Sequence, residues 1–128
     1  MKILYAEDDI MVQKIVILSL IRLGYEVTTV DDGQEAIETI ESEDFDLIIL
    51  DLFMPKRSGF EVVEYMREKL KNTTPVLIIS RSHLGEAIEK VYTAGANDYI
   101  EKPFQPEELV VKITKMLAPK RKSLTRDE

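Results

Sequence analysis

The run Asp46-Leu47-Ile48-Ile49-Leu50 shows no alternation between apolar and polar residues. A strand with one solvated face would alternate, so this run predicts a strand that is covered on both faces, as in a parallel sheet. The run Pro75-Val76-Leu77-Ile78-Ile79-Ser80 has the same character. Two strands of this kind place the chain in the α/β class.

Shorter predicted strands and amphipathic helices alternate along the rest of the chain, before, between and after these two runs. Further strands are predicted over residues 3–6, 26–30 and 98–101, and helices over residues 10–23, 34–41, 59–70, 84–93 and 106–117. Gly24 follows the first helix, where a positive φ is easily adopted. Five strand–helix units in succession predict a parallel sheet with helices on both faces.

The composition limits the classes of function. The chain has 128 residues, a net charge of −7, 45% hydrophobic and 32% charged residues, one histidine and no cysteine. These values predict one globular domain and exclude disulfides, cysteine-ligated zinc and thiol catalysis. The acidic balance argues against direct nucleic-acid binding. With no membrane-length apolar run and no secretory signal, a cytoplasmic location is predicted.

Polar residues follow the predicted strands. The segment Glu7-Asp8-Asp9 comes after the first strand, Asp51 ends the third, Ser80 ends the fourth, and Lys102-Pro103 follows the fifth. In an open α/β sheet, ligands bind outside the carboxyl ends of the strands. Strands one and three are expected to be neighbours, so Asp8 and Asp51 should converge.

Several carboxylates in one cleft repel one another unless a cation compensates them. Magnesium suits one or two carboxylates together with a phosphate oxygen. With a lysine and a hydroxyl group added, the set is suited to phosphoryl transfer, and a carboxylate can itself accept the phosphoryl group. Asp51 is the best candidate acceptor. Taken singly, each acid could instead cap a helix, and the same holds for Asp31 and Asp32. Asp9 could either cap a helix or face solvent, and Ser80 could be a turn residue.

Five motifs in order, across residues 2 to about 118, resemble the receiver domain of a two-component response regulator. They are Ile3-Leu4-Tyr5-Ala6-Glu7-Asp8-Asp9, Leu50-Asp51-Leu52-Phe53-Met54-Pro55, Ile79-Ser80, Gly95-Ala96-Asn97-Asp98-Tyr99 and Lys102-Pro103-Phe104. The resemblance implies a doubly wound, flavodoxin-like sheet of five parallel strands in the order 2-1-3-4-5, with five helices on two faces. Residues 1–118 would be the receiver and residues 119–128 a basic, polar tail or linker stub.

The resemblance also implies roles at the carboxylates. Asp51 would accept a phosphoryl group from a sensor histidine kinase or a phosphotransfer protein. Glu7 and Asp8 would form an acidic pair that holds Mg²⁺, together with Asp51 and the backbone carbonyl of Phe53. The domain would be a phosphoacceptor that assists its own phosphorylation and dephosphorylation, and not an enzyme in the usual sense.

Three further residues would act on the phosphoryl group or respond to it. Ser80 and Lys102 would contact its oxygens, and Tyr99 would turn inward when Ser80 moves. This change would alter the face formed by helix four, strand five and helix five, which would bind a downstream effector or a second copy of the chain. Alternatively, Tyr99 could be an ordinary half-buried tyrosine of the strand.

Two positions depart from the family pattern. Arg81 stands where the family usually has a small residue, and it could obstruct access to Asp51, bind phosphate or point to solvent. Phe53 is bulky, and it could shield an acyl phosphate from water. Rival functions are a degenerate receiver that acts as a constitutive protein-binding module, and a phosphatase-like enzyme with an aspartyl nucleophile.

The first helix is apolar nearly all round. A helical projection assigns its core stripe to Val12, Ile15, Val16, Ser19 and Leu23. Ile10, Ile17 and Ile21 would then lie on the outer side, either as idle surface or as a contact patch for a partner.

Overall fold

The computed structural model describes residues 1–81 and 85–118, which form a five-stranded parallel sheet in the order β2-β1-β3-β4-β5. The strands are β1 (Lys2–Ala6), β2 (Glu26–Val30), β3 (Leu47–Asp51), β4 (Val76–Ser80) and β5 (Asp98–Glu101). The helices are α1 (Ile10–Arg22), α2 (Gly33–Ser42), α3 (Gly59–Glu68), α4 (Gly85–Ala94) and α5 (Pro106–Leu117). The predicted tail, 119–128, and the predicted first residue of the fourth helix, Leu84, lie outside the described residues.

The predicted strand order and class are confirmed. All five residues of β3 and all five of β4 are buried, as expected for strands covered on both faces. The bounds of β3 are shifted by one residue from the prediction, because Asp46 lies outside the strand and its carboxylate accepts a hydrogen bond from the backbone N–H of Lys2. Asp51 is therefore the last residue of the central strand.

The helices cover the sheet on both sides and enclose two apolar clusters. Helices α2, α3 and α4 cover one cluster, which includes Ile48 and Ile78. Helices α1 and α5 cover the other, which includes Ile49 and Ile79. Successive residues of a strand point to opposite faces, so each central strand contributes to both clusters. Among the described residues no helix combines the length and apolar character that crossing a bilayer requires.

The core stripe predicted for α1 was partly wrong. Ile15 and Leu23 are 49% and 45% exposed, whereas Leu20, absent from that stripe, is fully buried beside Val16. Ile17, predicted to lie outside, packs against the core cluster under α1 and α5. Because apolar residues occur all round this helix, periodicity alone did not locate the side that meets the sheet. The exposed large apolar side chains of α1 are Ile10, Met11, Ile15, Leu18 and Ile21.

Two close backbone approaches position the loop that follows β3. A Cβ on Gly59, the first residue of α3, would lie 2.7 Å from the carbonyl oxygen of Asp51. A Cβ on Gly33, the first residue of α2, would overlap the carbonyl oxygen of Arg57 in that loop. Only glycine lets α3 begin this close to the end of the central strand and α2 begin this close to the loop that follows it.

Side-chain caps start the helices next to the sheet edge. Asp9 caps α1 by accepting from the backbone N–H groups of Met11 and Val12. Asp32 caps α2, and the backbone N–H of Glu35 lowers the pKa of the Asp32 carboxyl below its usual value. Both acids thus satisfy N–H groups at the start of a helix, as their sequence positions suggested.

The guanidinium group of Arg67 connects three segments at the edge of the sheet where β4 and β5 begin. Arg67, near the end of α3, makes five hydrogen bonds to four acceptors. The acceptors are the carbonyl oxygens of Asn72, Thr74 and Gly95 and the side-chain oxygen of Asn97. Burial lowers the pKa of Arg67, and these acceptors keep the buried group hydrogen-bonded.

Candidate functional site

Four charged side chains from three strand ends meet at the carboxyl edge of the sheet. Glu7 and Asp8 follow β1, Asp51 ends β3, and Lys102 follows β5. One carboxylate oxygen from each of the three acids lies within 4.8 Å of the others. Because β1 and β3 pair directly in parallel, Asp8 and Asp51 converge as the sequence predicted.

Lys102 joins two of the carboxylates. Its Nζ lies 2.9 Å from Oδ2 of Asp51 and 3.0 Å from the carboxylate of Glu7. Its backbone N–H donates to the carbonyl oxygen of Ser80 at 2.7 Å, which fixes where the lysine leaves the sheet. Burial lowers the pKa of Lys102, but its hydrogen bonds to Asp51 and Glu7 outweigh that effect and raise it. The ammonium is therefore charged at neutral pH.

Glu7 is fully buried. Its carboxylate accepts from the hydroxyl of Tyr5 at 3.2 Å and from the backbone N–H of Asp9 at 3.2 Å. Burial, followed by the charge of Asp51, raises the pKa of Glu7 to about 7, although Lys102 acts in the opposite direction. Burial, followed by the charge of the Glu7 carboxylate, raises the pKa of the Tyr5 hydroxyl. Burial in the fold thus favours the protonated form of the Glu7 carboxyl group.

Asp51 is 5% exposed, and both of its oxygens are directed by the fold. Oδ1 accepts the backbone N–H of Phe53 at 3.1 Å, and Oδ2 faces Lys102. The backbone N–H of Leu52 donates to Ile79 on β4, so the chain leaves the strand on a fixed path. This arrangement holds one carboxylate at the mouth of the acidic cluster.

The other predicted site residues differ in how deeply they are buried. Ser80 is buried at the end of β4, one strand away from Asp51. Tyr99 is half-buried on β5, and its ring meets that of Tyr92 edge to face with centroids 6.2 Å apart. Arg81 is exposed, and the side chain of Phe53 is 46% exposed.

Two residues of the site were not identified from the sequence. Tyr5 donates to Glu7, and the side-chain amide of Gln13 donates to the backbone carbonyl of Glu7 at 3.0 Å. The two-residue period of a strand, which puts Tyr5 and Glu7 on one side, was a signal for the first. The signal for Gln13 was its position one helical turn after the cap residue Asp9, which places it on the side of α1 near the end of β1.

The donor set fits a hard divalent cation. Three carboxylates offer only oxygen ligands, and the described residues bring no sulfur or imidazole to the cluster. Magnesium is held through one or two carboxylates, with water or phosphate oxygens completing its shell. Glu7, Asp8 and Asp51 would supply the carboxylate oxygens for such an ion.

Comparisons with known proteins agree on one family. Residues 3–114 match the family model of the response regulator receiver domain. The cell cycle transcriptional regulator CtrA of Caulobacter vibrioides is 36% identical over 113 residues, which cover 88% of this chain and 48% of CtrA. The chain spans about half the length of the curated relatives that it matches.

Two solved structures have the same fold. The chemotaxis response regulator CheY4 of Vibrio cholerae superposes with a TM-score of 0.85 at 34% identity, covering 91% of this chain and 98% of that one. The receiver domain of the sensor histidine kinase PA1611 of Pseudomonas aeruginosa gives a TM-score of 0.82 at 30% identity, covering 92% and 98%. That receiver holds a magnesium ion coordinated in its active-site cleft.

Proposed function

The chain belongs to the response regulator receiver domain family, and on this basis we propose that it is a switch operated by phosphorylation of Asp51. The observation that carries the proposal is the contact between the Asp51 carboxylate and the Lys102 ammonium, 2.9 Å apart, beside two further carboxylates. A buried carboxylate with a fixed cation and hydrogen-bond donors is suited to phosphoryl transfer.

In the proposed reaction, an oxygen of Asp51 attacks the phosphorus of a phosphodonor. The new P–O bond forms as the bond from phosphorus to the donor breaks, and the leaving group keeps the electron pair. Lys102 offsets the charge of the transferred group, and the hydroxyl of Ser80 donates to one of its oxygens. The product is an acyl phosphate, so the domain is a phosphoacceptor that assists its own modification.

Mg²⁺ is the proposed cofactor. Glu7, Asp8 and Asp51, with the backbone carbonyl of Phe53, would hold the ion. When bound, it would neutralise charge on the carboxylates and the phosphoryl oxygens. The geometry of the cluster supports this assignment, because among the described residues three carboxylates lie together beside the single ammonium group of Lys102.

The proposed output is a change on the face formed by α4, β5 and α5. A phosphoryl group adds nearly two negative charges and strong acceptors, which would draw Ser80 toward Asp51 and let Tyr99 turn inward. Tyr99 packs against the apolar cluster under α2, α3 and α4, so its rotation would alter the contacts of α4. On the same face the carboxylate of Asp98 accepts a hydrogen bond from the ammonium group of Lys112 at 3.1 Å. This ion pair between β5 and α5 would rearrange with the face.

The partners of the proposed switch are a histidine kinase or phosphotransfer protein upstream and an effector domain or protein downstream. The family assignment supports these classes, and the relatives that are twice as long include transcriptional regulators. Self-association through the α4, β5 and α5 face is a further part of the proposal. Direct nucleic-acid binding by this domain is not part of the proposal, because the net charge of the chain is −7.

The test is to incubate the protein with phosphoramidate, with and without Mg²⁺, and to measure intact mass. We expect one added phosphoryl group that depends on Mg²⁺ and is cleaved by neutral hydroxylamine, as an acyl phosphate is. Asp51→Asn should abolish the modification. Asp44→Asn, which removes an exposed carboxylate outside the cluster, is the matched control and should leave it unchanged.

Other outcomes separate the rival functions. Modification that survives Asp51→Asn and resists hydroxylamine would place the phosphoryl group on another residue and refute the assignment. No modification by phosphoramidate, acetyl phosphate or a kinase would favour the constitutive binding module. Continuous release of inorganic phosphate from small esters, without a persistent adduct, would favour the phosphatase.

A further inference from the structure

A cleft with a volume of about 410 Å³ opens next to the acidic cluster, between α1 and the segment that joins β5 to α5. Most of its lining is apolar, and two cationic side chains, Arg81 and Lys102, complete it. The apolar lining consists of Val12, Ile15, Val16, Pro103, Phe104 and Pro106. An apolar chamber with cations beside a reactive carboxylate favours a ligand that is apolar at one end and anionic at the other.

The register of the sheet explains why the two cations are neighbours. Ser80 pairs with Glu101 across β4 and β5, so the next residues, Arg81 and Lys102, leave the sheet side by side. Lys102 is already engaged with Asp51. Arg81 is exposed and forms no ion pair with a carboxylate in the described ranges. Its guanidinium therefore stands at the cleft without a described anionic partner.

We propose that Arg81 and the apolar cleft bind the leaving group of an acyl phosphate donor, so that the protein prefers donors with an apolar acyl group. This inference rests on the proposed phosphorylation of Asp51. In such a donor the phosphoryl group faces Asp51 and Lys102, the acyl chain lies along the α1 wall, and the departing carboxylate faces Arg81. A guanidinium binds a carboxylate through two parallel hydrogen bonds.

The chemistry of the leaving group gives Arg81 a distinct role. When Asp51 attacks an acyl phosphate, the bond between phosphorus and the anhydride oxygen breaks, and that oxygen leaves as a carboxylate with the electron pair. In phosphoramidate the P–N bond breaks instead, and the already protonated nitrogen leaves as neutral ammonia. Negative charge develops on the leaving group only in the first reaction, so a cation placed there accelerates only that reaction.

The experiment compares initial rates of Asp51 modification with benzoyl phosphate, acetyl phosphate and phosphoramidate, all in Mg²⁺. Arg81→Gln should slow both acyl phosphates by about tenfold, the loss expected for one charge-assisted contact, and leave phosphoramidate within about twofold. Ile15→Ala should lower the ratio of benzoyl to acetyl phosphate rates by about threefold, because part of the apolar wall is removed. Arg22→Gln, an exposed arginine that does not line the cleft, is the matched control.

Each other result has a definite meaning. An equal loss with phosphoramidate would assign Arg81 to the phosphoryl group and overturn the proposal, and a gain with all donors would make Arg81 an obstruction. If phosphoramidate modifies the wild type but Arg81→Gln alters no rate, only this inference fails. If no donor modifies the wild type, the proposed function fails and this inference falls with it.

Discussion

Lys102 is the cation that holds the acidic cluster together, so Lys102→Met tests the electrostatics of the site directly. Its two ion pairs, at 2.9 and 3.0 Å, each carry a gross Coulomb attraction of roughly 6 kcal/mol at an effective dielectric constant of about 20. The cost of removing these charges from water offsets most of that attraction. Removing one partner leaves buried carboxylates uncompensated, which typically costs about 3–5 kcal/mol.

We expect the lower end, about 3 kcal/mol, because Glu7 can take up a proton once the lysine is gone. The assay is urea unfolding followed by circular dichroism, with EDTA present to remove divalent ions. Lys112→Met is the matched control: its pair with Asp98 is about one-third exposed and should contribute less than about 1 kcal/mol.

A double variant makes the reasoning refutable. Asp51→Asn removes one of the two carboxylates that face Lys102, so Lys102→Met should cost at least about 1 kcal/mol less in that background than in the wild type. If the two losses simply add, or if Lys102→Met costs less than the control variant, the ion pairs do not stabilise the fold as described.

Three further results are expected. Gly59→Ala should lower the free energy of unfolding by about 2 kcal/mol and slow phosphorylation, because its Cβ would collide with backbone atoms of the phosphoacceptor strand end; Gly85→Ala, with nothing within 4 Å of its Cβ, should do neither. Ile17→Gln should cost about 1–2 kcal/mol in urea unfolding, whereas Ile21→Gln should change the stability by less than about 0.5 kcal/mol; similar losses would contradict the observed orientation of α1. Asp32→Ala should cost about 1 kcal/mol at neutral pH through loss of the α2 cap. Because the folded pKa of this carboxyl is depressed, its contribution is present above the unfolded value of 3.8 and should fade as the pH drops through the folded pKa, as measured by thermal unfolding across pH.

The architecture could be predicted because the decisive patterns are local. Strands that are buried on both faces are visible in the sequence as uninterrupted aliphatic runs. The acids at the ends of β1 and β3 are brought together by the parallel pairing of these two strands. The position of Asp51 at the end of the central strand needed no more than that. The same logic placed Lys102, which follows the edge strand.

What failed depended on contacts between distant elements. The side of α1 that packs on the sheet depends on the shape of the surface beneath it. Because apolar residues occur on every side of this helix, its sequence pattern does not indicate which side is buried. For the same reason Leu20 was missed and Ile15 was misassigned. The hydrogen bond from Gln13 to the backbone of Glu7 likewise requires the helix orientation to be known first.

The hydrogen bonds of Arg67 give the domain one anchored end and one adjustable end. Gly95, which directly follows α4, is held through its carbonyl by two N–H groups of this guanidinium, so the far end of α4 is clamped to α3. The other end of α4, at Gly85, follows β4 and lies on the side of the sheet where the strands end. If the proposed switch moves α4, this clamp would keep the end of the helix at Ala94 in place, so the movement would be a tilt about that end.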